Sequence, residues 1–442
     1  MQRVTGLRTG WLLSAAAILI GGWSMPAAAA DLGGDCCADL EERIAELEAT
    51  TARKGNRKVS LTVSGWVSEM VMFWDDGAER NVYVGTSPVE QSRFRFLGQA
   101  KIDADWSAGY VIEIGVWGAN STTWNQSNVD GVTGANSTLV RKSSWFLKSN
   151  RFGKVTVGQD STATYHLLDD ADTTMTRNFY DGEGPPDYVR PFLLRDSTGN
   201  FINPLGSNLR WSDALRGFNN STPGDNGRRN IVRYDTPEFN GFSVATSFGE
   251  DDIWDAALIY TGTLGDFTVN GRAGYGRSSD GVSTACHTAL TPENGDCEWW
   301  GVSGFIQHMP TGLFVFAGYG EQKDNSRGDN LIVAGPVDKS DTTWYVQGGV
   351  EKKWFPLGKT NIFGMFRRDD AGANVATNGN FNTQGANVDY WAVGAAQNLE
   401  AAESTLYLVY QHTDGNVFVG NAGTDTELSA LQQVIGGMKI NF

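Results

Sequence analysis

The chain has 442 residues, a formal net charge of −16, 40% hydrophobic residues, 54 glycines and only 12 prolines. Its mean hydropathy is −0.31. So acidic a composition argues against nucleic-acid binding, which selects Lys/Arg-rich patches, and the low hydropathy argues against a helical membrane domain. A Gly-rich, aromatic-rich chain of this hydropathy favours a transmembrane β-barrel, because only alternate strand residues meet lipid. A large secreted β-sandwich or solenoid is the alternative that composition leaves open.

Residues 1–30 have the organisation of a secretory signal peptide. Arg3 and Arg8 precede an apolar run over 11–23, and small residues follow before Asp31. The run is shorter than the roughly 20 residues that a membrane-spanning helix needs, so a transmembrane anchor is the weaker alternative. We therefore predict export and cleavage after Ala30.

Residues 31–57 are predicted to form a periplasmic segment with a short helix. Leu40, Ile44, Leu47 and Thr51 are spaced four, three and four residues apart among charged residues. This spacing is typical of a coiled-coil stripe over 38–53. An amphipathic helix that lies on the periplasmic rim of the following domain explains the pattern equally well.

From residue 58 to the C-terminus, apolar and polar residues alternate with the period of two that β-strands show. Tight connections join strands in pairs at 105–109, 150–153, 237–241, 262–265, 309–312, 354–358 and 398–403. With a first strand over 58–74 and a last over 432–442, the count is 16. The prediction is an all-β, 16-stranded antiparallel transmembrane β-barrel with short periplasmic turns and long extracellular loops. Barrels of this size enclose a water-filled channel.

The last predicted strand has one apolar face and ends on an aromatic residue, Phe442. Chain termini usually fray, whereas a barrel in lipid must pair its last strand with its first so that no edge stays open. We therefore predict that the strand ending at Phe442 closes the barrel and that Phe442 is a C-terminal assembly signal.

The connection over 160–228 is the third of the long loops, and its acids outnumber its bases. A connection this long is uncommon unless it is functional. The loop acids predicted to line a pore constriction are Asp169, Asp170, Asp172, Glu183 and Asp187. The strand residues predicted to face them are Arg93, Arg95, Lys101, Arg229 and Arg233, since a cation facing lipid near the midplane would cost about 2–4 kcal/mol.

Opposed charges across a narrow opening predict a transverse field in which polar solutes align and cross. The alternative is that these charges only pair with each other and hold the loop in place. Because the loop and the mature chain are acidic, we expect a modest preference for cations, which fades as salt screens the charges.

Two of the four cysteines, Cys286 and Cys297, lie in one predicted loop of an exported chain. An oxidising compartment favours a disulfide between them. Cys36 and Cys37 are adjacent and do not follow a lipoprotein pattern. We expect no zinc site, because no second CxxC motif or paired histidine is present.

The sequence shows no recognisable catalytic motif. Its four histidines are not part of a nucleophile motif, and a hydrolase needs a nucleophile with an oriented base. We therefore expect neither enzymatic activity nor a cofactor.

Several segments resemble known channel proteins. Residues 233–243, RYDTPEFNGFS, resemble the periplasmic-turn signature of general bacterial porins, and segments 37–58, 63–65, 73–77, 92–96 and 105–110 resemble the alphaproteobacterial porin family of rhizobia and relatives. The resemblance extends over essentially the whole mature chain. It implies an outer-membrane homotrimer, embedded in lipid, with the third loop folded into the lumen and passive diffusion of small hydrophilic solutes and ions.

Two alternatives to a general diffusion pore remain open. The channel could be selective for one substrate. The protein could also tether the outer membrane to the cell wall through the 38–53 helix, with pore activity secondary.

Overall fold

The computed structural model describes residues 59–128, 138–215, 222–250, 252–279, 296–328, 332, 337–376 and 378–442. The predicted signal peptide, the 38–53 helix and Cys286 lie outside these residues. Among the helices of the described ranges, none has the length and apolar character needed to cross a membrane.

Within those ranges, nineteen β-strands form one continuous sheet in which the paired strands are antiparallel. They are β1 (Ser60–Asp75), β2 (Arg80–Thr86), β3 (Arg93–Lys101), β4 (Trp106–Val116), β5 (Thr138–Ser149), β6 (Gly153–Ser161), β7 (Arg228–Asp235), β8 (Phe242–Gly249), β9 (Trp254–Leu264), β10 (Phe267–Ser278), β11 (Cys297–His308), β12 (Leu313–Asp324), β13 (Ser340–Phe355), β14 (Gly358–Ala371), β15 (Asn374–Val375), β16 (Phe381–Leu399), β17 (Ser404–Val419), β18 (Thr424–Glu427) and β19 (Leu431–Asn441). The described helices are α1 (Gly184–Val189), α2 (Trp211–Ala214) and three 3₁₀ helices, Ser121–Thr123, Met175–Asn178 and Glu400–Ala402.

These strands make a closed 16-stranded barrel, which confirms the predicted fold class. β2 and β3 together form the second barrel strand, because both pair with β1 at different heights. β18 and β19 form the sixteenth in the same way beside β17, and the two-residue β15 only extends the pairing of β16. The seven predicted hairpins are all present, from β3 and β4 through β16 and β17.

Closure occurs at the C-terminus as predicted. β1 pairs with β19 from Trp66 to Asp75, and Gly65 and Phe442 exchange two backbone hydrogen bonds of 2.9 and 3.0 Å. The Phe442 ring is largely exposed and lies so close to Gly65 that a Cβ there would be 2.8 Å from the ring. The role of Phe442 as an assembly signal stays a prediction, which outer-membrane yield after its deletion would test.

The turn between β7 and β8 explains why residues 233–243 carry a recognisable signature. Asn240 and Gly241 have φ angles of 50° and 86°, and two consecutive left-handed residues are what a tight type I′ hairpin requires. Phe239 and Phe242 close the turn with backbone hydrogen bonds of 2.8 and 2.9 Å. This local chemistry sets the register of the hairpin.

The strands alternate between two different surroundings. In β11, Trp299 and Phe305 point inward and are buried, whereas Val302 and Ile306 point outward and are exposed. An exposed apolar band on the outside is the surface that lipid requires.

The largest buried apolar cluster lies inside the barrel, between its wall and the connection from β6 to β7, which we call the third loop (162–227). Phe179 of this loop stacks on Tyr407 of β17 with ring centroids 4.5 Å apart. Phe192 contacts Trp74 of β1 edge-on at 5.3 Å. The prediction that the third loop folds into the lumen is confirmed.

Candidate functional site

The first part of the third loop is fastened to β9, β10 and β11. The backbone amides of Ala163 and Thr164 donate to the Asp255 carboxylate at 3.1 and 2.9 Å. Asn270 donates to the carbonyl of Ala171 at 2.9 Å, and Ser303 donates to that of Leu167 at 2.6 Å. Polar side chains of the inner wall therefore satisfy the loop backbone, as burial of irregular structure requires.

The middle of the loop crosses to the other side of the barrel. Met175 donates its amide proton to Glu351 of β13 at 2.7 Å. Gln433 of β19 donates to the carbonyl of Tyr188 at 2.8 Å, and Gln411 of β17 donates to that of Pro185 at 3.1 Å. The loop thus spans the lumen and narrows it.

A cavity of about 540 Å³ remains between the third loop and the wall. Nine basic and seven acidic side chains of the described residues line it. The basic ones are Arg93, Arg95, Arg141, Lys142, Lys154, Arg177, Arg228, Arg233 and Arg272. The acidic ones are Glu90, Glu113, Asp160, Asp169, Asp170, Asp181 and Asp235.

Glu113 of β4 lies at the centre of a cluster of arginines on the barrel wall that lines the cavity. Its carboxylate accepts hydrogen bonds from Arg95 at 2.7 Å, Arg141 at 2.9 Å and Arg93 at 3.4 Å. Arg93 also pairs with Glu90 at 3.1 Å, so three guanidinium groups share two carboxylates and this part of the wall carries an excess of positive charge.

A β-bulge brings Arg141 into this group. Glu113 pairs with Lys142 and the next residue, Ile114, pairs with Val140, which leaves Arg141 as the extra residue. A bulge breaks the alternation of a strand and redirects side chains. Arg141 and Lys142 therefore both line the cavity although they are consecutive.

Charged pairs complete the lining on either side. Lys142 contacts Asp160 at 2.7 Å on the wall, and Arg233 contacts Asp235 at 2.7 Å while also donating to the carbonyl of Thr162 at 2.8 Å. On the loop side, Asp170 binds both Arg177 and Arg272, the latter at 3.0 Å. The Asp170–Arg272 pair joins the loop directly to β10.

The acids behind the loop are in a different electrostatic situation. Burial, together with repulsion from neighbouring carboxylates, raises the pKa values of Asp181, Glu183 and Asp225 well above their usual range. Burial also raises the pKa of Asp172 to about 6, against hydrogen bonds from Thr176 and Thr174 that favour the carboxylate. A smaller cavity of about 180 Å³ adjoins this region.

The residues predicted from sequence fall into three groups. Arg93, Arg95, Arg233, Asp169 and Asp170 line the main cavity, and their role at a pore constriction stays a prediction.

Glu183 and Asp187 line the smaller cavity instead. The remaining three lie elsewhere: Lys101 is exposed at the end of β3, Arg229 contacts Asn226, and Asp172 packs under the loop near Gln347.

Sequence reasoning missed Glu113, Arg141, Lys142, Arg177, Arg228 and Arg272. The rule that placed Arg93 in the lumen, that a charge within a membrane strand must avoid lipid, would also have found Glu113 and Arg272. Arg141 carried no such signal, because the bulge is not visible in the pattern of apolar residues.

One group of side chains has metal-like spacing. The ligand atoms of His166, Asp169 and Asp170 lie within 4.8 Å of one another. His166 is hydrogen-bonded to Asp169 at 2.7 Å, and Asp170 already binds Arg177 and Arg272. Because Asp170 already binds two positively charged guanidinium groups, a metal cation would be repelled at this position.

Cys297 at the start of β11 is disulfide-bonded. Cys286 lies outside the described residues, so the predicted pairing of these two cysteines stays a prediction.

A closed 16-stranded barrel with an apolar exterior and a charged lumen narrowed by a loop defines a passive diffusion channel of the outer membrane. The chain belongs to the Gram-negative porin family, whose sequence profile matches residues 14–431. Members of this family are channel proteins, and the outer membrane is their location.

Similar proteins agree on the fold. The chain is 22% identical over 294 residues to a chitoporin of Vibrio furnissii, a match that covers 61% of this chain and 68% of that protein. An anion-selective porin from Comamonas acidovorans superimposes with a TM-score of 0.56 at 15% identity, over 87% of this chain and 100% of the other. OmpF of Salmonella typhi superimposes with a TM-score of 0.52 at 13% identity, over 89% and 100%.

Proposed function

We propose that the cavity between the third loop and the arginine-rich wall is the constriction through which small hydrophilic solutes and ions must pass. The observation that carries this proposal is that loop residues and wall residues together line one cavity of about 540 Å³. Because charges of both signs face this space, a polar solute exchanges its hydration for protein charges, whereas an apolar solute gains nothing in return. The channel is then a general pore and not a transporter for a single substrate.

Substitution at the cavity should widen the channel. Arg95 and Arg177 both line the cavity and are partly exposed. We expect Arg95→Ala and Arg177→Ala each to raise single-channel conductance in a planar bilayer. Lys101→Ala, on the same strand as Arg95 but outside the cavity, is the matched control and should not change it. Equal conductance in all three variants would place the constriction elsewhere.

We also propose a homotrimer in which the outer face of β1 is covered by a second copy of the chain. Glu69 is exposed on this face, where it accepts hydrogen bonds from Thr86 at 2.9 Å and Ser92 at 3.3 Å. Val67 and Val84 on the same side are also exposed. A carboxylate facing lipid is costly, whereas a protein interface supplies it with polar partners.

The oligomeric state tests this interface. Native mass spectrometry of detergent-extracted protein should show trimers, and Glu69→Lys should shift them toward monomers. Glu298→Lys on β11, which lies far around the barrel from β1, should leave the trimer intact. A wild-type protein that is monomeric after mild extraction would contradict the proposal.

The organisation of the precursor is also proposed: residues 1–30 are a signal peptide, residues 31–57 a periplasmic segment and residues 58–442 the barrel. The motifs at 37–58 and 92–96 favour the alphaproteobacterial branch of the family. N-terminal sequencing of the mature protein should begin at Asp31; any other start would revise these boundaries.

A further inference from the structure

We propose that the constriction is a weak binding site for small oxyanions with two negative charges, such as hydrogen phosphate or a short dicarboxylate. The inference rests on the proposed position of the constriction. Such a site gives the channel a preference for anions, opposite to the cation preference expected from the acidic composition. The reason is that the lining of the cavity differs in charge from the chain as a whole.

The balance of partners around the cavity favours positive charge. Glu113 is shared by three arginines and Asp170 by two. Two further cations contact aromatic groups and, within the described lining, no carboxylate: Arg228 donates to the Tyr165 hydroxyl, and Lys154 lies 5.1 Å from the Phe146 ring. With nine basic and seven acidic side chains in the described lining, two positive charges are left over.

Exposure strengthens this imbalance. The two most exposed charged side chains of the described lining are arginines: Arg95 and Arg177 are 39% and 41% exposed, against 29% for Asp235 and 22% for Asp170. Screening and competition by water are weakest for buried groups, but an entering ion makes contact only with groups that reach the water. A solute in the cavity therefore meets guanidinium groups first.

The basic groups also lie on different sides of the cavity. Arg95 and Arg141 belong to β3 and β5, whereas Arg177 belongs to the third loop and Arg272 to β10. A guanidinium donates two parallel hydrogen bonds to a carboxylate or phosphate. A doubly charged oxyanion can engage such donors on two sides, which a single chloride ion cannot do.

The acids behind the loop do not cancel this charge. Asp181 lines both cavities, and Glu183 lines only the smaller one. Burial raises their pKa values, which favours the protonated form and so reduces the negative charge that these acids contribute.

Binding at this site must be weak, because conduction requires that a bound ion can leave. The arginines that line the cavity already have protein partners, so an anion competes with Glu113 and Asp170 for them. The cavity is also open to water at the exposed ends of the side chains. These features favour brief occupancy and a partial block of smaller ions.

Planar-bilayer recording with the purified full chain tests the inference. In a potassium chloride gradient, the reversal potential should have the sign of an anion-preferring channel. Inorganic phosphate, and succinate in a parallel experiment, should reduce chloride conductance by roughly twofold at millimolar concentration if occupancy is weak. An effect of phosphate alone or of succinate alone would identify which oxyanion the geometry fits.

Variants separate charge from geometry. Arg95→Gln combined with Arg177→Gln should abolish the block and shift the reversal potential toward cations, whereas Lys101→Gln should behave like the wild type. Arg272→Lys keeps the charge but loses the forked donor, so it should weaken the block without moving the reversal potential. Arg272→Lys also tests the inference if the double variant does not fold.

The outcomes distinguish this inference from the proposed function. A wild-type channel that conducts, prefers cations and ignores both oxyanions overturns the anion site and leaves the pore intact. A protein that inserts but does not conduct overturns the proposed function itself.

Discussion

The wall of β3, β4 and β5 and the inner side of the third loop both bury carboxylates, but in opposite surroundings. On the wall, Glu113 receives hydrogen bonds from three arginines. Behind the loop, Asp225 and the Oε1 atom of Glu183 find no donor of good geometry among the described residues.

The difference shows how one lumen can hold ionised and protonated acids side by side. A buried carboxylate stays charged where cations compensate its lost hydration, and it takes up a proton where other acids surround it. The charge on the wall should therefore stay constant as the pH changes, whereas the charge behind the loop should depend on pH.

Glu113→Gln should have the largest effect. The amide cannot neutralise the three surrounding guanidiniums, and breaking a buried ion pair costs roughly 3–5 kcal/mol. Denaturant unfolding of the refolded barrel in detergent measures the loss of stability. Glu298→Gln, in the partly exposed pair with Lys323, is the control and should change the free energy of unfolding by less than about 1 kcal/mol. Equal losses in the two variants would show that the wall does not depend on Glu113.

Asp172 should make the packing of the third loop depend on pH. Its pKa is about 6 in the folded protein against an ordinary value of 3.8, so the folded loop holds a proton that the unfolded chain releases. Stability is then fully present below about pH 4 and decreases as the pH rises through 6, by at most about 3 kcal/mol for a shift of this size.

Limited proteolysis of the loop between pH 4 and pH 7 measures this trend. Asp172→Asn cannot titrate and should show a flatter profile than the wild type. Identical profiles for the two proteins would exclude Asp172 as the cause.

Asp225→Asn should act in the opposite direction to Glu113→Gln. The new amide can donate a hydrogen bond to the neighbouring carboxylate of Glu183, and it removes one acid from an uncompensated group. We expect a gain of about 1 kcal/mol in loop stability at neutral pH, the typical value of one buried hydrogen bond. Slower cleavage of the loop by protease would confirm it, and faster cleavage would show that Asp225 is ionised and bound by a cation.

Lys142→Gln should have the smallest effect. Its ion pair with Asp160 is partly exposed, and Asp160 keeps its hydrogen bonds from Ser144 and the Ser161 amide at 2.6 and 2.7 Å. Partly exposed pairs contribute up to about 1 kcal/mol. A loss as large as that of Glu113→Gln, measured by the same unfolding experiment, would mean that the wall acts as one network and not as separate pairs.

The sequence by itself determined the barrel, the 16 strands and the turns that connect them. Strand alternation and turn chemistry are local properties: Asn240 and Gly241 specify their hairpin without help from distant residues. The inward path of the third loop came from family resemblance, and its contacts confirm it.

Only the tertiary structure decided which charges meet and what sign the lumen has. Asp170 finds Arg272 about a hundred residues away, and the bulge at Arg141 turns two consecutive basic side chains to the same side. Whether an acid such as Asp172 or Asp225 keeps its charge depends on burial and on neighbours from several elements. Composition gives only the number of charges, whereas solvation and pairing in the folded barrel determine how strongly each charge acts.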